Sequence, residues 1–234
     1  MKKTFLIFSI LLCLLPAISL ASPISDLKNS IYGQVRQNAI DSFSALFNRK
    51  VTIERAEGRL IGQIDFINFT IPGIGTIKKM TLNYNPIIML ETKGDIVPAL
   101  YEIVVEDGKF DIIRNNQGKI NLLSALSSGD PSSKTPPPPF KGIITLRNCT
   151  GLYSDQQGFK AGSPTFHTNI SELNGSVNLK NLNNIRFNLS AKIPEQINIS
   201  GSIKPSSANY SANINIQDVS LKKWGNYITP QAEI

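Results

Sequence analysis

Apolar residues recur at three- and four-residue steps through Ile24, Leu27, Ile31, Val35, Ala39, Phe43 and Leu46/Phe47. That spacing predicts an amphipathic helix over 24–47, with Asn48 as its stop signal. From Lys50 the period changes to that of a strand, beginning with Val51 and Ile53. The segment Leu60 to Ile71 is apolar-rich, but its phase slips near Phe66-Ile67. Ile64 and Phe66 share one parity, whereas Ile67, Phe69 and Ile71 share the other. A β-bulge is the expected cause. Pro72-Gly73 punctuates the run, and Met80, Leu82 and Tyr84 then alternate. Pro86 to Glu91 reads as a short helix with proline at its start. Tyr101, Ile103 and Val105 predict a strand, Asp107-Gly108 a hairpin turn, and Phe110 and Ile112 the returning strand. Gly118 to Leu126 predicts a short apolar helix.

Residues 127–139, SSGDPSSKTPPPP, break every period. Serine, glycine and proline build no core, and four consecutive prolines favour an extended polyproline conformation. The segment is expected to be a linker. Beyond it Ile143, Thr145 and Arg147 oppose Ile144 and Leu146, and three regular alternations follow. Ile185, Phe187, Leu189, Ala191 and Ile193 oppose Arg186, Asn188, Ser190 and Lys192. Ile197, Ile199 and Ile203 oppose Asn198, Ser200, Ser202 and Lys204. Tyr210, Ala212, Ile214 and Ile216 oppose Ser211, Asn213, Asn215 and Gln217. Short polar turns join them, as in an antiparallel meander with one apolar and one polar face.

The predicted fold class is therefore mainly β with an N-terminal helix (α+β). A small mixed unit over 22–127 and a Ser/Pro linker over 128–139 precede an antiparallel sheet over 140–234. That sheet is expected to be open and groove-like, and incomplete at its C-terminal end. No long amphipathic helix follows the linker to cover its apolar rows. A second sheet, closure into a barrel, or a ligand must do so. Each aliphatic side chain left in water forgoes about 1.5–3 kcal/mol of burial, so such a row marks a site or an interface.

The N-terminus adds a compartment. Lys2 and Lys3 precede the apolar run Phe5 to Leu15, Pro16 breaks it, and Ser19-Leu20-Ala21 offers small residues where signal peptidase reads them. Residues 1–21 are expected to be a cleaved signal peptide. The alternative is an inner-membrane anchor, although the run is short for a span of about 20 residues. Leu12 before Cys13 argues against lipidation. The chain is thus placed in the periplasm or cell envelope. Cys149 would then be the only cysteine of the mature chain, a small buried hydrophobe in a strand and not part of a disulfide.

Composition narrows the chemistry further. The 234 residues are 41% hydrophobic and 18% charged, as in a folded chain. The formal net charge is +7, which becomes +7 − 2 = +5 without Lys2 and Lys3. The remaining bases are scattered, as in Arg49-Lys50, Lys78-Lys79 and Lys222-Lys223, without the clustering and stacking aromatics of a nucleic-acid site. His167, the single histidine, has no spacing to Cys149 or Asp155 that suggests a metal site or a triad. Gly73-Ile74-Gly75 lacks the third glycine of a dinucleotide loop. Glu102, Glu106, Asp107 and Asp111 read as a solvated strand edge, with a glycosidase-type carboxylate pair as the remote alternative. No cofactor, no metal and no enzymatic activity are expected.

Two stretches carry a resemblance. In 44–126, Arg49-Lys50-Val51 opens a strand, Tyr84-Asn85-Pro86 starts a helix, and an Arg…Gly-x-x-Asn-Leu pattern runs from Arg114 to Leu122 and Leu123. In Phe140 to Asp155, FKGIITLRNCTGLYSD, a strand with an asparagine turn is followed by an aromatic residue and an aspartate. Leu173-Asn174-Gly175-Ser176-Val177 and Ile199-Ser200-Gly201 continue the pattern. Together they resemble the N-terminal region of the AsmA-like superfamily, in particular its TamB (translocation and assembly module) branch, in short or truncated form. The resemblance implies an open β-groove with an apolar lining, associated with phospholipid movement and outer-membrane assembly.

The expected function is to bind phospholipid acyl chains in an apolar β-groove. The expected lining is Ile185, Phe187, Leu189, Ile193, Ile197, Ile199, Ile203, Tyr210, Ile214 and Ile216. The alternative is a periplasmic or surface β-module that offers its open sheet edge to a protein partner, such as an outer-membrane barrel protein.

Overall fold

The computed structural model describes residues 23–59, 61–92, 96–122, 124, 140–158, 165–193, 195–207 and 209–217. The expected signal 1–21, the linker 128–139 and the tail beyond Gln217 lie outside them. Helix α1 runs Pro23–Phe47 and is followed by β1 (Thr52–Arg59), β2 (Gln63–Ile71), β3 (Gly75–Tyr84), the short helix α2 (Pro86–Glu91) and β4 (Leu100–Arg114). Then come β5 (Ile143–Asp155), β6 (Phe166–Asn178), β7 (Ile185–Ile193), β8 (Glu195–Lys204) and β9 (Asn209–Gln217). The nine strands form one open sheet in chain order. Every neighbouring pair is antiparallel except β4–β5, which is parallel. The strands on either side of the 128–139 segment are thus adjacent in one sheet, from Glu102↔Ile143 to Arg114↔Asp155. Among the described residues, no helix is long and apolar enough to cross a membrane.

Helix α1 buries Tyr32 and packs Val35, Ala39, Ile40, Phe43 and Phe47 on a core of Val51, Ile53, Phe66, Phe69, Ile77, Met80 and Leu82. Phe43 meets the ring of Phe69 edge-on at 5.1 Å. The helix also occupies the outer edge of β1. Ser44 Oγ accepts from Val51 N at 3.0 Å, Arg36 Nη1 donates to Glu54 O at 2.7 Å, and Tyr32 Oη donates to Gly58 O at 2.5 Å. Asn48 ends the helix in the left-handed region, φ 48°. Asn85 caps α2 by accepting from Ile87 N at 2.9 Å and Ile88 N at 3.4 Å, with Pro86 preset for the first turn.

Two local expectations are corrected. Asp107-Gly108 is not a hairpin: both residues lie inside the single strand β4. Asp107 does adopt the left-handed conformation that a turn would use, φ 51°. Gly108 is buried for packing, because a Cβ there would lie 2.7 Å from the Phe110 ring and 3.2 Å from Cys149 Sγ. The phase slip in β2 is likewise not an isolated bulge. Asn68 has φ 50°, yet the register stays continuous from Arg55↔Ile67 to Ile53↔Phe69 and from Ile67↔Lys79 to Phe69↔Ile77.

The reason is that neighbouring strands slip at the same level. Ladder order places Glu54, Asn68, Lys78, Asp107 and Asn148 side by side across β1 to β5, and Glu172 follows on β6. Asn68, Asp107, Asn148 and Glu172 are all left-handed, with φ between 50° and 51°. The apolar parity changes at this line on each strand: 51/53 to 56/58, 64/66 to 69/71, 77 to 80/82, 103/105 to 108/110, and 144/146 to 149/151. An extra residue at one level on each of β1 to β5 leaves the pairing among these five strands intact and keeps the apolar side chains in one cluster. The register shifts around Asn148 in β5–β6 and around Glu172 in β6–β7, and away from this line at Asn83/Tyr84 in β3–β4.

Candidate functional site

The cross-strand register strings the apolar positions into rows perpendicular to the strands. One row runs Ala56, Phe66, Met80, Val105, Leu146, Gly175, Leu189, Ile199, Ile214, with one residue from each of the nine strands. A second runs Gly58, Ile64, Leu82, Ile103, Ile144, Val177, Phe187, Gly201, Ala212. Parity is kept at every step, so the face that α1 covers at one end is continuous with the face of β7–β9 at the other.

Burial falls along this face. Phe66 and Met80 are buried in the core, while Leu146 and Leu189 are half-buried. At the far end Ile203 is 42%, Ile216 44%, Ile214 62% and Tyr210 83% exposed. The ten expected lining residues are brought together. Ile185↔Ile203↔Tyr210 and Leu189↔Ile199↔Ile214 are aligned rows, and Ile197↔Ile216 continues from Ala191. Ile197 is buried, while Ile185, Phe187, Leu189, Ile193 and Ile199 are half-buried. Ile193 closes its row against Glu195, a buried carboxylate at the β7–β8 turn.

Sequence reasoning missed the small members of the site. Gly201 faces Phe187 and Ala212. A Cβ at Gly201 would lie 2.2 Å from Ser211 O and 2.8 Å from the Phe187 ring. The ring therefore lies over the glycine, a close approach that only glycine permits. Sequence reasoning also missed that Ile144, Leu146 and Val177 extend the face towards the core. Their positions follow from the parallel β4–β5 pairing, which local periodicity does not encode.

The opposite face is polar and internally bonded along the left-handed line. Asn68 donates to Glu54, Lys78 Nζ pairs with Asp107 Oδ2 at 3.1 Å, and Asn148 Nδ2 donates to Asp107 Oδ1 at 2.6 Å. Asn174 Oδ1 accepts from Asn148 N at 2.7 Å, and Lys192 Nζ meets Glu172 Oε1 at 2.6 Å. Asn148, then Lys78, holds the Asp107 carboxyl below its ordinary range. An open depression of about 780 Å³ lies here, lined by Thr70, Thr76, Lys78, Lys109, Asn148 and Thr150 among others. The acidic group read as a solvated strand edge lies instead on β4, inside the sheet between β3 and β5, and is mostly engaged with neighbours. Glu102 bonds Asn83 and Thr145, and Glu106 lies between Lys79 and Arg147.

The remaining chemistry-bearing residues are locally committed. Cys149 is fully buried, and burial pushes its thiol pKa up. His167 Nδ1 and Ser154 Oγ are 2.9 Å apart on neighbouring strands. Among the described residues, no group of three or more His, Cys, Asp or Glu side chains could hold a metal ion. No family model matches this chain, and no curated protein matches it.

Proposed function

We propose that this chain is a cell-envelope protein that holds lipid acyl chains on the apolar face of its sheet. In that role it contributes to phospholipid transport or to outer-membrane assembly and integrity. The observation that carries the reading is the nine-strand apolar row, which passes without a polar interruption from buried Met80 and Val105 to exposed Ile214. A row of this kind loses burial energy in water at every exposed member. An acyl chain suits it because it demands no hydrogen bonds from a surface that offers none. The apolar leader at 5–15 and the resemblance to the AsmA-like superfamily support the same compartment and the same cargo.

A second reading keeps the compartment and changes the ligand: a protein partner, such as an outer-membrane barrel protein, adds to the open edge at β9. It is favoured by the fact that β9 has β8 as its one strand neighbour among the described residues. A photo-crosslinking residue at position 214, in cells, separates the two. Crosslinks to phospholipid support acyl-chain binding. Crosslinks that go only to protein contradict it.

A further inference from the structure

The two edges of the sheet are treated differently. At β1, helix α1 supplies side-chain partners to Val51 N, Glu54 O and Gly58 O, and the strand carries Glu54, Arg55, Glu57 and Arg59. Charges and a covering helix are the usual means by which an edge is kept from pairing. Strand β9 has none of them. Its sequence NYSANINIQ contains no charge and no proline, all nine residues are exposed, and among the described residues no side chain bonds to it. A nine-residue, uncharged, alternating edge strand is a template for another strand.

We infer that β9 pairs antiparallel with β9 of a second copy of this chain, about a two-fold axis at Asn213. Two features of the strand select a second copy. First, the strand is self-complementary. Centring the pairing on Asn213 sets Tyr210 opposite Ile216, Ala212 opposite Ile214 and Ser211 opposite Asn215. Apolar residues meet apolar ones on one face, and amides and hydroxyls meet on the other, as cross-strand pairing rewards. Second, a chain of net charge +7 repels its own copy, yet this edge brings no like charges together because it carries none. The apolar rows then cross the axis, because residues of equal parity are opposed. Ile214 of one copy follows Ala212 of the other, and the exposed ends of two faces join into one. The inference concerns the edge and is independent of acyl-chain binding on the face; it names the partner for the edge.

The test uses the purified full chain. Asn213→Cys is predicted to form a disulfide-linked dimer under mild oxidation, because the axis places that residue opposite itself. Buried Cys149 does not compete, and Cys13 is changed to serine in every cysteine variant. Ser211→Cys and Asn215→Cys are predicted to crosslink when mixed and not when alone. Asn213→Lys, which sets two cations face to face, is predicted to weaken the dimer at least tenfold in sedimentation equilibrium. Asn198→Lys, exposed on the same polar face of β8 but away from the edge, is predicted to leave it unchanged. Retained far-UV circular dichroism confirms folding in each case. A full chain that stays monomeric at tens of micromolar, and whose Asn213→Cys variant forms no intermolecular disulfide, overturns the inference. So does capture of residues 218–234 of the same chain, or of a different protein, by a crosslinker at position 213. A monomer that still carries lipid sinks the dimer alone, and a lipid-free dimer sinks acyl-chain binding alone.

Discussion

Arg114 Nη1 lies 3.1 Å from Asp155 Oδ2, joining the ends of parallel strands β4 and β5 across 41 residues of chain. Asp155 is fully buried, and its Oδ1 accepts from Gln157 N and Gly158 N, both at 3.0 Å. Asn121 sits nearby: it accepts from Ile113 N and Leu122 N, and donates to Gly73 O and Asp111 O. Residues that stand out in two separate sequence motifs thus fasten the one parallel junction of the sheet. Asp155→Ala is expected to lower stability by about 3 kcal/mol, since it leaves Arg114 and two amides without their shared acceptor. Urea denaturation followed by circular dichroism checks this, and an unchanged midpoint would contradict the role of the pair.

The left-handed residues on β2, β4, β5 and β6 predict an inverted substitution pattern. Asn148→Gly is expected to be tolerated, because glycine takes a positive φ such as the 50° seen here at no steric cost. Asn148→Val is expected to cost about 2 kcal/mol or more, since a β-branched residue resists that conformation. Equal stabilities in thermal melts would remove the proposed reason for the parity slip.

Asp107 gives the same line a pH signature. Its folded pKa is lowered, first by Asn148 and then by Lys78. A lowered carboxylate contributes stability above its unfolded pKa and loses it as pH falls through the folded one. An NMR titration is expected to place Asp107 below the ordinary value of 3.8, and Asn148→Ala is expected to raise it towards that value. A midpoint at 3.8 or above in the unmodified chain would show that Asn148 does not stabilise the carboxylate.

Cys149 is fully buried beside Gly108, with a raised thiol pKa. Thiolate is the reactive form, so iodoacetamide at neutral pH is expected to label it only under denaturing conditions. Rapid labelling of the folded chain would place the residue at the surface.

Gly201→Ala is expected to cost about 1–3 kcal/mol and to loosen β9, because the new methyl group meets Ser211 O and the Phe187 ring. Faster amide exchange in β9, with β1–β4 unchanged, is the readout. Uniform exchange across the sheet would instead mean that β9 is not held through this contact.

Much of this architecture is written in local period. The meander appears where Ile185–Ile193, Glu195–Lys204 and Tyr210–Gln217 alternate, because one parity is predominantly apolar. Helix α1 and the proline-led α2 are legible for the same reason. The slip at Phe66-Ile67 is visible on one strand, but its meaning depends on the neighbours to which it is aligned. Asp107-Gly108 misleads because the φ that suits a turn also suits a left-handed residue inside a strand. The parallel β4–β5 junction is set by pairing between distant segments and by Arg114 and Asp155, none of which has a periodic signature. For the candidate site, the aliphatic lining is readable, whereas the role of Gly201 is not, because a residue without a side chain carries no hydrophobic weight in a pattern.

The most direct test of the apolar face is the phospholipid bound per chain, measured by native mass spectrometry on the full-length chain and on Ile214→Asp. Ile214 is 62% exposed, so the carboxylate reaches water and the fold should survive. The account predicts phospholipid on the unmodified chain and its loss from the variant, with far-UV circular dichroism preserved in both. A folded chain without lipid, or equal lipid on the two proteins, would contradict it.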